Sequence, residues 1–201
     1  MTRKVVVYDA NVLYPAPLRD TLMRLALIGL FQARWTDAIH DEWIRNLHKK
    51  RPELSLQKLH RVRQLMDKFV PDALVTGYEA LIPSIVLPDP DDRHVVAAAL
   101  HGKADAIITL NVKDFPASEL GKYGIEVIRP DKFVLMQLKA APMSVVGGST
   151  HSTNGDVKSH PDSRRFPVDV GTESFAPKRH GTSEFRAPLV SIVTVTLFRM
   201  S

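Results

Sequence analysis

The chain has 201 residues, 44% of them hydrophobic and 24% charged, which excludes wholesale disorder and suits one well-buried domain with an appendage. No apolar run approaches the roughly 18 residues of a membrane span, and behind the basic start Met1-Thr2-Arg3-Lys4 the apolar run from Val5 to Tyr8 is too short for a secretory signal. The absence of cysteine excludes disulfides and thiolate metal sites and favours a cytoplasmic location, while the net charge of +5 suits a polyanionic partner without identifying one.

Lys4-Val5-Val6-Val7-Tyr8 is a β-branched run that predicts a buried strand, and it stops at Asp9-Ala10-Asn11. Asp9 is thereby expected at a strand's carboxyl end. Pro15-Ala16-Pro17 breaks the chain ahead of Leu18, Leu22, Leu25, Ala26 and Leu30, whose spacing predicts an amphipathic helix ending near Gly29. Thr36 or Asp37 can cap a second helix with Ile39, Trp43, Ile44 and Leu47 on its apolar face and Glu42 beside it. A third helix follows Pro52, with Leu56, Leu59, Val62, Leu65, Met66 and Phe69 at helical spacing. Its other face carries Lys58, Arg61, Arg63 and Lys68, and with Lys49, Lys50 and Arg51 it forms a basic arm.

The run from Ile82 to Leu87 reads as extended, and the Pro88-Asp89-Pro90-Asp91-Asp92 turn leads into a helix from Arg93 to His101. Ala104 to Thr109 predicts a second buried strand, followed by a loop from Leu110 to Pro116 that contains Asn111 and Asp114. Ile125 to Ile128 predicts a further strand, and Pro130 precedes a last helix from Asp131 to about Lys139. Short apolar strands alternating with helices point to an α/β fold, a parallel sheet covered on both faces, with sites outside the strands' carboxyl ends. Beyond Ala140 the texture changes. Gly147-Gly148-Ser149-Thr150 opens a linker-like run, no helical period is visible through Pro188, and Leu189 to Phe198 alternates β-formers with Ser and Thr. The expected division is therefore a domain over residues 1–139 and an irregular, largely disordered extension over 140–201.

Asp9, Asp92 and Asp114 fall at strand ends or at the helix start that follows a strand, and Glu42 lies on a helix. Three or four converging carboxylates are what a hard divalent ion requires, and the ion in turn relieves their mutual repulsion. Each acid has a plainer reading. Asp9 can serve a turn or N-cap, Glu42 can be an ordinary helix-surface residue, Asp89, Asp91 and Asp92 can cap a helix, and Asp114 can close a turn. Three acids in four residues exceed what capping needs, and a charge directly after an apolar strand is costly unless it is used. Asn11 reads equally as a helper through its amide or as a turn residue. His40, Arg93 and His94 read as surface or supporting groups.

In order, these segments resemble those of PIN-domain nucleases. Val7-Tyr8-Asp9-Ala10-Asn11-Val12-Leu13 is similar to the family's opening strand and loop, with Asp9 in the place of its first metal-binding acid. Asp37-Ala38-Ile39-His40-Asp41-Glu42-Trp43 resembles the helix that carries the second acid, at Glu42. Leu87-Pro88-Asp89-Pro90-Asp91-Asp92-Arg93-His94 is similar to the stretch with the third, assigned to Asp92 with Asp89 as the competing assignment. Ala104-Asp105-Ala106-Ile107-Ile108-Thr109-Leu110-Asn111-Val112-Lys113-Asp114-Phe115 resembles the segment with the fourth, at Asp114. Some members carry an acid where Asn111 stands.

The resemblance covers residues 4–139. It implies a three-layer α/β/α sandwich with a central parallel sheet, Mg²⁺- or Mn²⁺-dependent cleavage of RNA, and frequent homodimerisation. Many bacterial members are virulence-associated protein C toxins held by a cognate antitoxin. On this reading Lys49, Lys50, Arg51, Lys58 and Arg61 attract RNA phosphates, and the apolar positions from Leu56 to Phe69 are a place for a dimer contact. Nothing after Ala140 has a counterpart in the family. A non-catalytic RNA- or partner-binding module on the same scaffold predicts a disrupted acid set, whereas all four positions are filled. A phosphatase of the haloacid dehalogenase type would want Asp at position 11, where the chain has Asn11.

Overall fold

A computed structural model describes residues 3–140; the extension expected at 140–201 lies, but for Ala140, outside the described residues. The β-branched run near the N-terminus forms strand β1 (Val5–Tyr8), and the later apolar runs form β3 (Ala106–Ile108) and β4 (Glu126–Ile128). A further strand, β2 (Gln32–Arg34), follows the first long helix. All pairings are parallel and the order is β2-β1-β3-β4. Burial follows that order. Val6, Val7 and Tyr8 of β1 and all three residues of β3 are fully buried, as central strands covered on both faces require, while the edge strands β2 and β4 each expose their first residue. This is a sheet flanked by helices in the PIN-like α/β arrangement.

The helices are α1 (Ala10–Leu13), α2 (Ala16–Leu27), α3 (Asp37–Lys50), α4 (Leu56–Phe69), α5 (Arg93–His101), α6 (Ala117–Leu120) and α7 (Pro130–Ala140). Several begin and end where the sequence says they should. Thr36 caps α3 by accepting from Ile39 N at 3.1 Å, and Gly29 leaves α2 at φ +78°, a conformation that a Cβ would strain; the cap of α4, Ser55 accepting from Lys58 N, is one the sequence reading had not singled out. None of these helices is long and apolar enough to cross a membrane.

Three local expectations change. Asp9-Ala10-Asn11 does not open a plain loop, because Ala10–Leu13 winds into a helical turn directly off β1. Residues 82–87 are not a strand: Glu79–Ser84 forms a 3-10 turn, and only Ile85 and Leu87 turn inward. With Pro83 inside it the segment lacks a donor for a ladder, so tertiary packing of two apolar anchors replaces sheet pairing. His40, read as a surface or supporting group, is completely buried. Trp43 Nε1 donates to His40 Nδ1 at 2.9 Å, which leaves Nε2–H to donate to Asp67 Oδ1 at 3.2 Å. Trp35 Nε1 also donates to Asp67 Oδ1, at 2.8 Å. Arg63 of α4 bonds Asp37 and Asp41 of α3, so α4 is pinned along α3 by polar groups as well as by Leu59 and Met66. Burial holds the His40 imidazole below its usual pKa, so it is neutral there despite Asp67.

Candidate functional site

Strand register builds the site. Tyr8 pairs with Ile108, Asp9 N donates to Ile108 O at 3.1 Å, and Thr109 N donates to Ile128 O at 3.2 Å. Asp9 and Thr109 therefore leave adjacent strands side by side. They do so between β1 and β3, where the strand order changes direction, at the carboxyl edge of the sheet where α/β folds place their sites.

Asp9 is only 3% exposed, and its Oδ2 accepts from Thr109 Oγ1 at 2.6 Å and from Asn11 Nδ2 at 2.6 Å. Asn11 Nδ2 also reaches Thr109 Oγ1 at 2.9 Å, and Asn11 Oδ1 accepts from Leu110 N at 2.9 Å. Only one orientation of the amide satisfies an anion on one side and an N–H on the other. Asn11 thus works through its amide, and an Asp at position 11 would set a second anion against Asp9. Burial pushes the Asp9 carboxyl above the ordinary range; the Thr109 bond opposes this and the Glu42 charge adds to it.

The other acids come from separate elements. Glu42 projects from the second turn of α3, half-buried, with Oε2 3.5 Å from His94 Nε2 of α5. Asp92 stands at the N-cap position of α5 but makes no side-chain capping bond. Its carboxyl is pushed up to about 7, by burial first and then by the charges of Asp9, Asp89, Asp114 and Glu42. Asp114 ends a 3-10 turn, Val112–Asp114, beyond β3. The structure therefore gathers all four acids into one field, with Asp92 at its centre. Asp89 is exposed and spends Oδ1 on Asp91 N at 2.9 Å, which is ordinary turn closure. Asn111 contributes its backbone N–H to Thr109 Oγ1 at 2.9 Å, while its side chain is exposed.

Among the described residues no three His, Asp or Glu side chains already form a coordination shell. In kind the donors suit a hard divalent cation: they are carboxylate oxygens, and the charges of the neighbouring acids add to burial in raising the Asp92 carboxyl. A cation there would offset the repulsive part of that rise.

Two supporting residues escaped the sequence reading. Thr109, fully buried, donates once and accepts twice, so its hydroxyl is satisfied by Asp9, Asn11 and Asn111 together. Its signal is positional: it follows a strand that pairs with the strand ending in Asp9. Arg19 is 7% exposed on α2, where Nη1 donates to Leu13 O at 2.8 Å and the guanidinium lies 5.0 Å from the Trp43 ring centroid. It shares helical spacing with buried Leu22, Met23 and Ala26, which is the clue that it points inward. It ties α1, which starts after Asp9, to α3, which carries Glu42.

Thr109→Val keeps the shape and removes the hydroxyl. It should cost about 1–3 kcal/mol, because Asp9, Asn11 and Asn111 each lose a buried partner, whereas Thr109→Ser should cost less; urea unfolding midpoints decide this. Of the cations expected to meet RNA, Lys50 Nζ lies 5.5 Å from the Tyr14 ring centroid and Arg51 pairs with Glu53 at 2.5 Å. Lys49, Lys58 and Arg61 are exposed.

Over 66 residues the chain is 49% identical to "Putative ribonuclease VapC50" of Mycobacterium tuberculosis (strain ATCC 25618 / H37Rv), a match covering 33% of this chain and 38% of that protein. The sequence pattern of the family described as "PIN domain" matches residues 5–113, a span that opens with β1, contains Asp9, Glu42 and Asp92, and ends one residue short of Asp114. With more than half of its length under that pattern, a parallel β2-β1-β3-β4 sheet, and acids gathered at the sheet's carboxyl edge, the chain belongs to the PIN domain family.

Proposed function

We propose that residues 1–139 form a metal-dependent endoribonuclease domain in which Asp9, Glu42, Asp92 and Asp114 hold Mg²⁺ or Mn²⁺. The observation that carries the reading is the convergence of acids from four separate segments, Asp9 after β1, Glu42 on α3, Asp92 at the start of α5 and Asp114 beyond β3, close enough that the other three charges act on Asp92, an arrangement with no use in folding. A relative described as a ribonuclease supports RNA as the substrate. A bound divalent ion would supply activation of water near neutral pH and a counter-charge for the attacked phosphate. The chain's own groups do the rest. Thr109 and Asn11 fix the Asp9 carboxylate from one side, His94 steadies Glu42, and α1 and α3 hold their separation through Arg19 and Trp43.

The wider role follows the resemblance to virulence-associated protein C: a cytoplasmic toxin, restrained by a cognate antitoxin and able to form a homodimer. Residues 140–201 are assigned no part in it.

The test is to incubate the purified full chain, free of any co-purifying protein, with a mixed RNA pool in Mg²⁺, in Mn²⁺ and in EDTA. Cleavage with either ion that EDTA stops is the expected result. Intact RNA under every condition would overturn the nuclease reading and favour a non-catalytic binding module.

A further inference from the structure

The cations of α3 and α4 divide into two groups. Arg63 is engaged by Asp37 and Asp41 with Asp67 3.9 Å away, Arg51 by Glu53, and Lys50 lies over Tyr14. Arg45, Lys49, Lys58, Arg61 and Lys68, all exposed, make no ion pair among the described residues, and Lys68 lies at the far end of α4. Arg45 and Lys49 line a groove between the two helices whose apolar floor is Ile44 and Leu56, the latter 45% exposed. Lys58 and Arg61 continue the same charge across the neighbouring face of α4.

Ordinary helix electrostatics accounts for only part of this. Lys49 lies in the last turn of α3, where a cation complements the helix dipole. Lys58 and Arg61 lie in the first two turns of α4, the end where a cation is disfavoured, and the first turn holds no acid to offset them. Charges set against the dipole and left without partners are suited to an anion from outside the chain.

The groove also runs toward the acids. Glu42, Arg45 and Lys49 stand at i, i+3 and i+7 of α3, one stripe that rises about 10 Å from the carboxylate field to the cations. A polyanion lying along that stripe would meet the acids at one end and the basic groove at the other.

We infer that the groove between α3 and α4 holds the sugar-phosphate backbone of a single-stranded RNA a few nucleotides from the bond that is cut. The choice of RNA over an acidic peptide rests on the ribonuclease reading. The groove offers charge and an apolar shelf, its rim also carries His48 and His60, and its one acid, Asp41, is engaged by Arg63, so its free charges meet phosphates, which position a strand without reading its bases. Arg45 is thereby added to the RNA-contacting set, and Lys50 and Arg51 leave it.

The experiment titrates a labelled single-stranded RNA of about a dozen nucleotides with the full chain in EDTA, across a salt series. It compares wild type, Arg45→Gln/Lys49→Gln and Lys58→Gln/Arg61→Gln, with Lys4→Gln/Lys122→Gln as a control away from the groove and thermal melts to verify folding. Each groove pair should weaken binding by about tenfold and reduce the slope of log affinity against log salt by about 1.4, two phosphate contacts at about 0.7 each. Cleavage of the same RNA should then show a raised KM with kcat unchanged. Unchanged affinity and slope in folded groove variants overturn the inference. So does loss of binding to a poly-glutamate peptide while RNA binding is retained, which would make the groove a protein-docking surface. A wild type that binds RNA through these residues but cuts none with Mg²⁺ or Mn²⁺ sinks the nuclease reading and leaves this one standing.

Discussion

Asp92→Asn should reduce metal-dependent RNA cleavage by about a thousandfold or more and, at the same time, make the metal-free protein more stable at pH 8. The catalytic loss follows from removing the acid at the centre of the field, since several kcal/mol of transition-state charge stabilisation depend on a correctly held ion. The stability gain follows from linkage. Burial and the neighbouring acids push the Asp92 carboxyl up to about 7 in the fold, well above the ordinary carboxylate range, so the native state binds its proton more tightly than the unfolded chain does. The sign is that of a group destabilising when ionised. Stability is unaffected well below pH 4, falls as pH rises from about 4 to about 7, and stays reduced above that.

An asparagine carries no charge to be repelled, so the variant escapes the loss. A rise to about 7 would amount to about 4 kcal/mol for a fully buried group; Asp92 is half-exposed and water screens it, which leaves about 1–2 kcal/mol. Melts at pH 5 and pH 8 check this, with the gap between variant and wild type widening at the higher pH. Mg²⁺ or Mn²⁺ at pH 8 should raise the wild-type melting temperature more than the variant's, because ligand binding to the native state adds stability. A variant that cuts RNA normally, or melts below wild type at pH 8, contradicts the placement of Asp92.

Trp43→Ala is expected to cost about 3–5 kcal/mol, much of the margin of an ordinary domain. The indole is fully buried on α3. Its removal opens a cavity, leaves His40 Nδ1 without its donor and uncovers the buried Arg19 guanidinium, whose pKa burial already pulls down. Trp43→Phe keeps a ring for Arg19 and loses the N–H and some volume, so it should cost clearly less. Urea midpoints for the two variants separate packing and cation cover from the single hydrogen bond, which both lose; equal midpoints would show that the ring's packing and cation cover contribute nothing. Because Glu42 is the adjacent residue, the alanine variant should also lose cleavage at temperatures where it remains folded, through displacement of that turn.

The sequence alone determined the elements whose signals are local. The Val5 to Tyr8 run, the cap at Thr36, Gly29 at the end of α2, and the alternation that demands a parallel sheet are properties of neighbouring residues, and they appear where their spacing puts them. The same holds for Asp9 at a strand end and Asp92 at a helix start, since chain direction fixes both. Short elements such as β2 and α1 carry too few residues for a period to register, and residues 82–87 looked extended because Ile and Val favour strands wherever they occur.

Only the tertiary structure decided which polar groups meet. Thr109 lies 100 positions from Asp9 and reaches it because β1 and β3 pair in one register; His40 is hidden because Trp43 and Asp67 can satisfy both of its nitrogens; Arg19 turns inward because a carbonyl and an indole face await it. Paired and unpaired cations on α3 and α4 look alike in a composition, and only their partners tell Arg63 from Arg61. A hydrogen bond acts over about 3 Å and a sequence pattern over one or two turns. Contacts between distant segments are therefore decided by how the sheet and helices pack.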